Sequence, residues 1–227
     1  MNFYNKAVYI LKEILFPKKC MCCGKYIHYT NKYFICEECY KNQAGKYKSL
    51  FEKYAGVNFD IDNVYYAVKY AGTLKKAFIK MKFGGKKFYA DTFARMLYEH
   101  TKGADFLDSV DVITCVPMSK SRLKRRGYNQ SDVVAKSFSE YTGHKYNNTL
   151  LFKLKNLPPL SKMKKAERFK QIIGAFGYND ENILFDAHVL LIDDIYTTGA
   201  TTGECAKILK SKGVDRVTVL TIFSNEY

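Results

Sequence analysis

Asp193 and Asp194 close the apolar run VLLI at 189–192, and two residues later the turn TTGAT occupies 197–201. Paired carboxylates at a strand end offer acceptors for the vicinal hydroxyls of a ribose or for the water shell of Mg2+. A turn leading into a helix has a different chemistry. Free backbone N–H groups, the positive end of the helix dipole, hydroxyls and a permissive glycine form a cradle for a phosphate without any lysine. Here Thr197, Thr198, Gly199, Ala200 and Thr201 supply it. One phosphorylated pentose satisfies both halves. The plainer alternative, an acidic strand end before a Thr-capped helix, does not account for two acids, TTG and a further Thr together.

A second cluster offers metal chemistry. Five of the seven cysteines fall in CMCCGKYIHYTNKYFICEEC at 20–39, with Cys20 and Cys23 as one CxxC pair and Cys36 and Cys39 as another. Each CxxC turn aims two thiolates at one point, and two such turns complete a tetrahedral Zn2+ shell of the ribbon or knuckle type. A disulfide framework is the rival reading; it needs an oxidising compartment, and the N-terminus carries no export signal. Four protein ligands leave the metal no open position, so its work is folding rather than catalysis. Cys22 and His28 are alternative ligands.

Elements must position these residues. Strand-like segments at 64–70, 111–117, 150–155, 188–194 and 214–223 alternate with helical patterns at 74–83, 88–100, 129–143 and 201–213. That alternation predicts an α/β fold, a mostly parallel sheet with helices on both faces, whose ligands bind outside the carboxyl ends of the strands. The turn at 197–201 then lies between a central strand and the N-terminus of a helix. Tyr4, Ala7, Val8, Ile10, Leu11, Ile14 and Leu15 recur at helical spacing until Pro17. This leading helix is expected to dock on a domain, with a membrane surface as the alternative.

The chain has 227 residues, 47% of them hydrophobic, and a formal charge of +15. A packed core is within reach, and no apolar run is long enough to span a bilayer. A cytoplasmic location is expected, with the inner membrane face as a peripheral alternative. The charge is segregated. No acid falls between Asp62 and Asp91, between Asp111 and Asp132 or between Glu140 and Glu167, and lysines and arginines fill those windows. Such segregation favours polyanion sites over an evenly solvated surface. Tyr65, Tyr66, Tyr70, Phe83, Phe88 and Tyr89 interleave with lysines and are candidate stacking platforms for single-stranded DNA, or else core residues.

DDIYTTGAT resembles the phosphoribosyl pyrophosphate (PRPP) motif of type I phosphoribosyltransferases. Together with LFPKKCMCCG, CEEC, MKFGGKK, RRGYNQ and ERFKQIIGAF in that order, the chain resembles the ComF family. The resemblance implies a zinc ribbon, expected over 1–52, joined to a phosphoribosyltransferase-like domain over 53–227. It implies PRPP with Mg2+ as ligand, single-stranded DNA as partner, and a role in natural transformation beside proteins of the DNA-uptake machinery. Carried over by position, Asp193 and Asp194 face the ribose hydroxyls and residues 197–201 hold the 5′-phosphate. Arg122, Arg126 and Asn129 lie on or near the pyrophosphate loop, the turn after the strand at 111–117, although RRGYNQ is equally readable as a structural corner. Lys153, Lys155 and Arg168 bracket the loop that closes over PRPP. The sequence departs from the family there: NLPPL places Leu157 and Leu160 where polar residues are expected, and Gln171 stands for Asn. These changes bear on transfer chemistry more than on binding. A PRPP-binding protein is therefore the first reading and an active transferase with an unidentified acceptor the alternative; no residue is nominated as catalytic.

Overall fold

A computed structural model describes residue 15 and residues 17–44, 60–158, 165–181 and 184–225. The helix expected over 4–15, apart from Leu15, the boundary expected between 52 and 53, and Leu160 lie outside the described residues.

The strands are β1 (Asn63–Lys69), β2 (Val112–Cys115), β3 (Lys145–Tyr146), β4 (Leu151–Lys153), β5 (Phe176–Tyr178), β6 (His188–Tyr196) and β7 (Arg216–Ser224). Five of them form one parallel sheet in the order β1-β7-β6-β2-β3. The helices are α1 (Glu37–Ala44), α2 (Gly72–Phe83), α3 (Tyr89–Thr101), α4 (Asp105–Asp108), α5 (Lys120–Arg126), α6 (Gln130–Thr142), α7 (Lys165–Ile172) and α8 (Ala200–Ser211).

The central strand shows why the sequence reads as a continuous apolar run. Val189, Leu190, Leu191 and Ile192 are fully buried because both faces of β6 are covered. On one face α2, α3 and α6 bring Phe78, Phe93 and Phe138 against Phe223. On the other, α8 packs Cys205, Ala206 and Leu209 with Ile172 and Phe176. The expected α/β architecture, a parallel sheet with helices on both faces, is the one observed.

One expected strand takes a different place. The segment at 150–155 does form a strand, but β4 pairs antiparallel with β5 in a separate two-stranded arm. Parallel neighbours need a crossover of a dozen or more residues, and too few separate β3 from β4. Instead the chain leaves the sheet after Asn147, whose Oδ1 accepts from the backbone N–H and the hydroxyl of Thr149 at 2.9 and 2.8 Å.

The cysteine segment is not a detached appendage. Cys20, Met21 and Ile35 are buried in the same core as α2, α3 and α6. The backbone N–H of Phe34 donates to Thr92 Oγ1 at 3.0 Å, and the rings of Phe34 and Phe88 lie 4.3 Å apart. Arg95 donates to the hydroxyl of Tyr33 at 2.8 Å. Among the described residues no helix is long and apolar enough to cross a membrane.

Candidate functional site

At the carboxyl end of β6 the strand continues through both acids to Tyr196, farther than the apolar run alone indicates. The two carboxylates meet different partners. Asp193 accepts from Ser131 Oγ at 3.0 Å, on the first turn of α6, and from the backbone N–H of Asp194 at 2.8 Å. Asp194 pairs with Lys82, at the end of α2, with 2.9 Å between Oδ2 and Nζ. Burial and the neighbouring Asp194 charge push the Asp193 carboxyl up to about 7, against the opposing pull of its two hydrogen bonds and Lys82. Two adjacent acids thus acquire separate character: Asp193 sits close to its titration point while Asp194 is ion-paired.

Gly199 occupies the left-handed region at φ 73 and is the N-cap of α8, where it has no side chain to offer the helix amides. No acid falls in the first turn of that helix. The Ala200 N–H points toward Thr198 Oγ1 at 3.4 Å, and Thr202 turns its hydroxyl back to the Gly199 carbonyl at 3.1 Å. Asp193 and Asp194 near the carboxyl end of β6 thus precede by a few residues the turn that opens α8.

The basic candidates divide into two groups. Between the turn after β2 and the arm lies a cavity of about 770 Å3, lined by Ser119, Lys120, Asn129, Lys153, Lys155 and Asn156 among others. Arg122 does not line it and donates to the Leu157 carbonyl at 2.8 Å, while Ser121, which does, donates to Asn156 at 2.5 Å. Lys153 lies 4.6 Å from the centre of the Phe176 ring; burial and then Arg122 push its pKa down, while Cys205 and Asp193 pull it back. Lys155 donates to the Ile173 carbonyl at 2.7 Å. Residues 193–201 do not line this cavity.

Arg126 belongs to a different place. It lines a second cavity, of about 360 Å3, with Lys82, Arg125, Phe83 and Tyr128. Its guanidinium bonds Gln130 Oε1 and sits 5.0 Å from the Phe83 ring centre. Arg168 lies on α7 and lines neither cavity.

RRGYNQ does form a corner. Gly127 ends α5 at φ 84, and Asn129 then caps α6, accepting from the Ser131 N–H at 3.3 Å. The same carboxamide donates to the Val116 carbonyl at 2.9 Å, tying the end of β2 to the start of α6. Sequence reasoning did not single out Lys82, Ser131 or Gln130 for the site. Lys82 carried a signal, since it lies in an acid-free window and in MKFGGKK; Ser131 and Gln130 follow directly on the corner. Gln130 is 1% exposed and its Nε2 has no hydrogen-bond partner, an orphaned donor beneath the site.

The cysteine quartet is a candidate metal centre. The Sγ atoms of Cys20, Cys23, Cys36 and Cys39 all lie within 4.8 Å of one another, and those of Cys23 and Cys36 are 3.8 Å apart. A Zn–S bond of about 2.3 Å gives a tetrahedral S···S edge of about 3.8 Å, so the donor set and its spacing fit. Burial opposes ionisation of Cys20, but backbone N–H groups at Cys23, Cys36 and Cys22 outweigh it and bring the thiol down to about 7. Cys22 is not part of the quartet; burial pushes its thiol up to about 11, against a hydrogen bond from Thr73. His28 is likewise outside it, bonded to Thr30 Oγ1 at 2.6 Å.

Most of the aromatic residues proposed as stacking platforms face inward. Tyr66 and Tyr89 are buried, Tyr65 stacks on Phe106 at 4.1 Å, and Tyr70 meets Phe223 edge-on. Phe88 packs on Phe34. Phe83, 72% exposed, presents its ring outward at the rim of the second cavity.

No family model matches the chain. It is 28% identical over 144 residues to competence protein F of Haemophilus influenzae, a match covering 62% of this chain and 63% of the relative. To competence protein ComFC of Bacillus subtilis it is 30% identical over 145 residues, covering 63% of this chain and 56% of the relative. The matches thus span less than two thirds of either relative's length. Among solved structures, the adenine phosphoribosyltransferase of Thermoanaerobacter pseudethanolicus shares 14% identity at a TM-score of 0.39, covering 62% of this chain and 82% of that one. That likeness is too loose to carry an argument about function.

Proposed function

The chain belongs to the ComF family, and from that premise we propose that it binds PRPP with Mg2+ at the end of β6 and acts on single-stranded DNA during natural transformation. The observation that carries this reading is that β6 holds Asp193 and Asp194 near its carboxyl end and passes within a few residues, through the left-handed Gly199, into the N-terminus of α8 with no acid in its first turn. The acids take the ribose hydroxyls, and the amides and hydroxyls of 197–201 take the 5′-phosphate. Lys153 and Lys155, which line the larger cavity, suit a pyrophosphate, and Arg122 adds charge from the neighbouring Leu157 contact. Mg2+ would supply charge neutralisation beside these groups. Ligand binding requires Asp194 to exchange Lys82 for the sugar.

Zn2+ in the cysteine quartet is the structural cofactor of this reading, supported by sulfur spacing and by the amide donors on Cys20. The DNA partner is supported by the segregation of lysine and arginine into acid-free windows.

Calorimetry with PRPP and Mg2+ tests the pocket. The wild type is expected to bind, and Asp193→Asn with Asp194→Asn to lose most of the heat; equal heats in the two proteins would remove the ribose assignment. Metal analysis should give one zinc per chain. Single-stranded DNA affinity should fall steeply with salt, and an affinity indifferent to salt rules out a phosphate-dominated surface.

A further inference from the structure

The smaller cavity, beside Lys82, is not used by the pentose reading. Its walls come from the end of α2 and from α5 with the corner after it, the two segments MKFGG and RRGY. Three cations, Lys82, Arg125 and Arg126, line it together with Phe83 and Tyr128, and no acid is among the lining residues. The aromatic walls are held in place. Tyr128 donates its hydroxyl to the Met81 carbonyl, and Phe83 carries the Arg126 guanidinium on its face at 5.0 Å. Arg126 is itself fixed by Gln130. A cavity of about 360 Å3 falls in the size range of small-molecule sites.

A flat π surface with cations around it selects one ligand chemistry, a planar ring that carries an anionic group. We propose that this cavity is a nucleotide subsite: the base stacks on Phe83 and Tyr128, and the phosphate is met by Arg125 and Lys82. The inference deepens the reading above and rests on it for one feature, the adjacency of the two ligands. Lys82 bridges the sites, since the ammonium that lines this cavity also holds Asp194 at 2.9 Å. A phosphate arriving in the cavity draws Lys82 away from Asp194 and frees that carboxylate for ribose hydroxyls. Binding at either site therefore assists the other, with a reciprocal coupling.

A free nucleotide and a nucleotide within a single strand present the same chemistry, so both probes are needed. The full-length protein is titrated with AMP and with a short single-stranded oligonucleotide, in the wild type and in Phe83→Ala, Arg125→Gln and Lys124→Gln. Phe83 and Arg125 are exposed and their replacement leaves the core intact. Lys124 is one residue from Arg125 and outside the cavity, which controls for loss of charge. Phe83→Ala and Arg125→Gln are each expected to weaken binding about tenfold, and Lys124→Gln to leave it near wild type. The effect on AMP identifies a free nucleotide as ligand, and the effect on the oligonucleotide alone identifies a strand. The subsite is overturned if neither probe distinguishes Phe83→Ala from wild type, or if Lys124→Gln weakens binding as much as Arg125→Gln. PRPP titration in Phe83→Ala, without nucleotide, separates the two readings: normal PRPP binding with unaltered nucleotide binding removes the subsite alone, whereas absent PRPP binding in the wild type removes the pentose assignment and leaves the nucleotide titrations to stand by themselves.

Discussion

Asp193 holds a proton that an ordinary aspartate has lost by neutral pH. Its carboxyl titrates near 4 in an unfolded chain and at about 7 in the fold, raised by burial and by the Asp194 charge. The folded state therefore binds the extra proton, and this residue's contribution to stability is fully present below pH 4 and lost as pH rises through 7. Asp193→Asn keeps the acceptor for Ser131 and for the Asp194 N–H but removes the buried charge. We expect it to raise stability by about 1–3 kcal/mol at pH 8 and to change little at pH 4, measured by denaturant unfolding. On the proposed reading, the same proton opposes ribose binding. PRPP affinity should rise about tenfold between pH 6 and pH 8 in the wild type, as the ionised fraction grows, and the rise attributable to this residue should vanish in Asp193→Asn. Asn129 makes a separate prediction. It caps α6 and ties it to Val116, so Asn129→Ala should cost about 1–3 kcal/mol of stability by thermal or denaturant unfolding.

At the scale of elements, the helix start after Gly199 and the β4–β5 arm are where the proposed PRPP site can be tested. Gly199 has φ 73, where a side chain is strained. Gly199→Ala should cost about 1–2 kcal/mol and weaken PRPP binding by turning the first amides of α8 out of line, with calorimetry as the measure. The arm is tethered to α5 through Arg122 and Leu157 and through Ser121 and Asn156. Arg122→Ala should speed amide exchange over 154–158 by about tenfold or more, and PRPP should protect those amides in the wild type but less in the variant. Much at this scale was legible beforehand. A continuous apolar run marked the central strand β6, Gly143 marked the end of α6, and DDIYTTGAT marked the passage from β6 into α8. The arm was not legible, because a strand's propensity says nothing about its partner; Asn147 and the short connection after β3 decided that.

For the whole molecule, the consequence lies in how the cysteine segment is attached. Cys20, Met21 and Ile35 share a core with Phe78 and Phe93, and the Tyr33–Arg95 and Phe34–Thr92 bonds cross to α3. Metal loss should therefore destabilise the sheet domain as well. Chelation, or Cys36→Ser with Cys39→Ser, should lower the single unfolding transition by about 10 °C; a ribbon that folds alone would leave the larger transition in place. By itself the sequence determined the alternation of strands and helices, the two CxxC turns and the acid-bearing strand end that leads through Gly199 into a helix. These are local patterns, set by residues a few positions apart. Tertiary structure alone decided that Lys82 lies 112 positions from Asp194 in the chain yet 2.9 Å from it in space. It also decided that Arg126 leaves the larger cavity for a cationic one, and that most of the aromatic residues turn inward. Each of those outcomes depends on which helix packs beside which strand, a choice made by summed burial over the whole core.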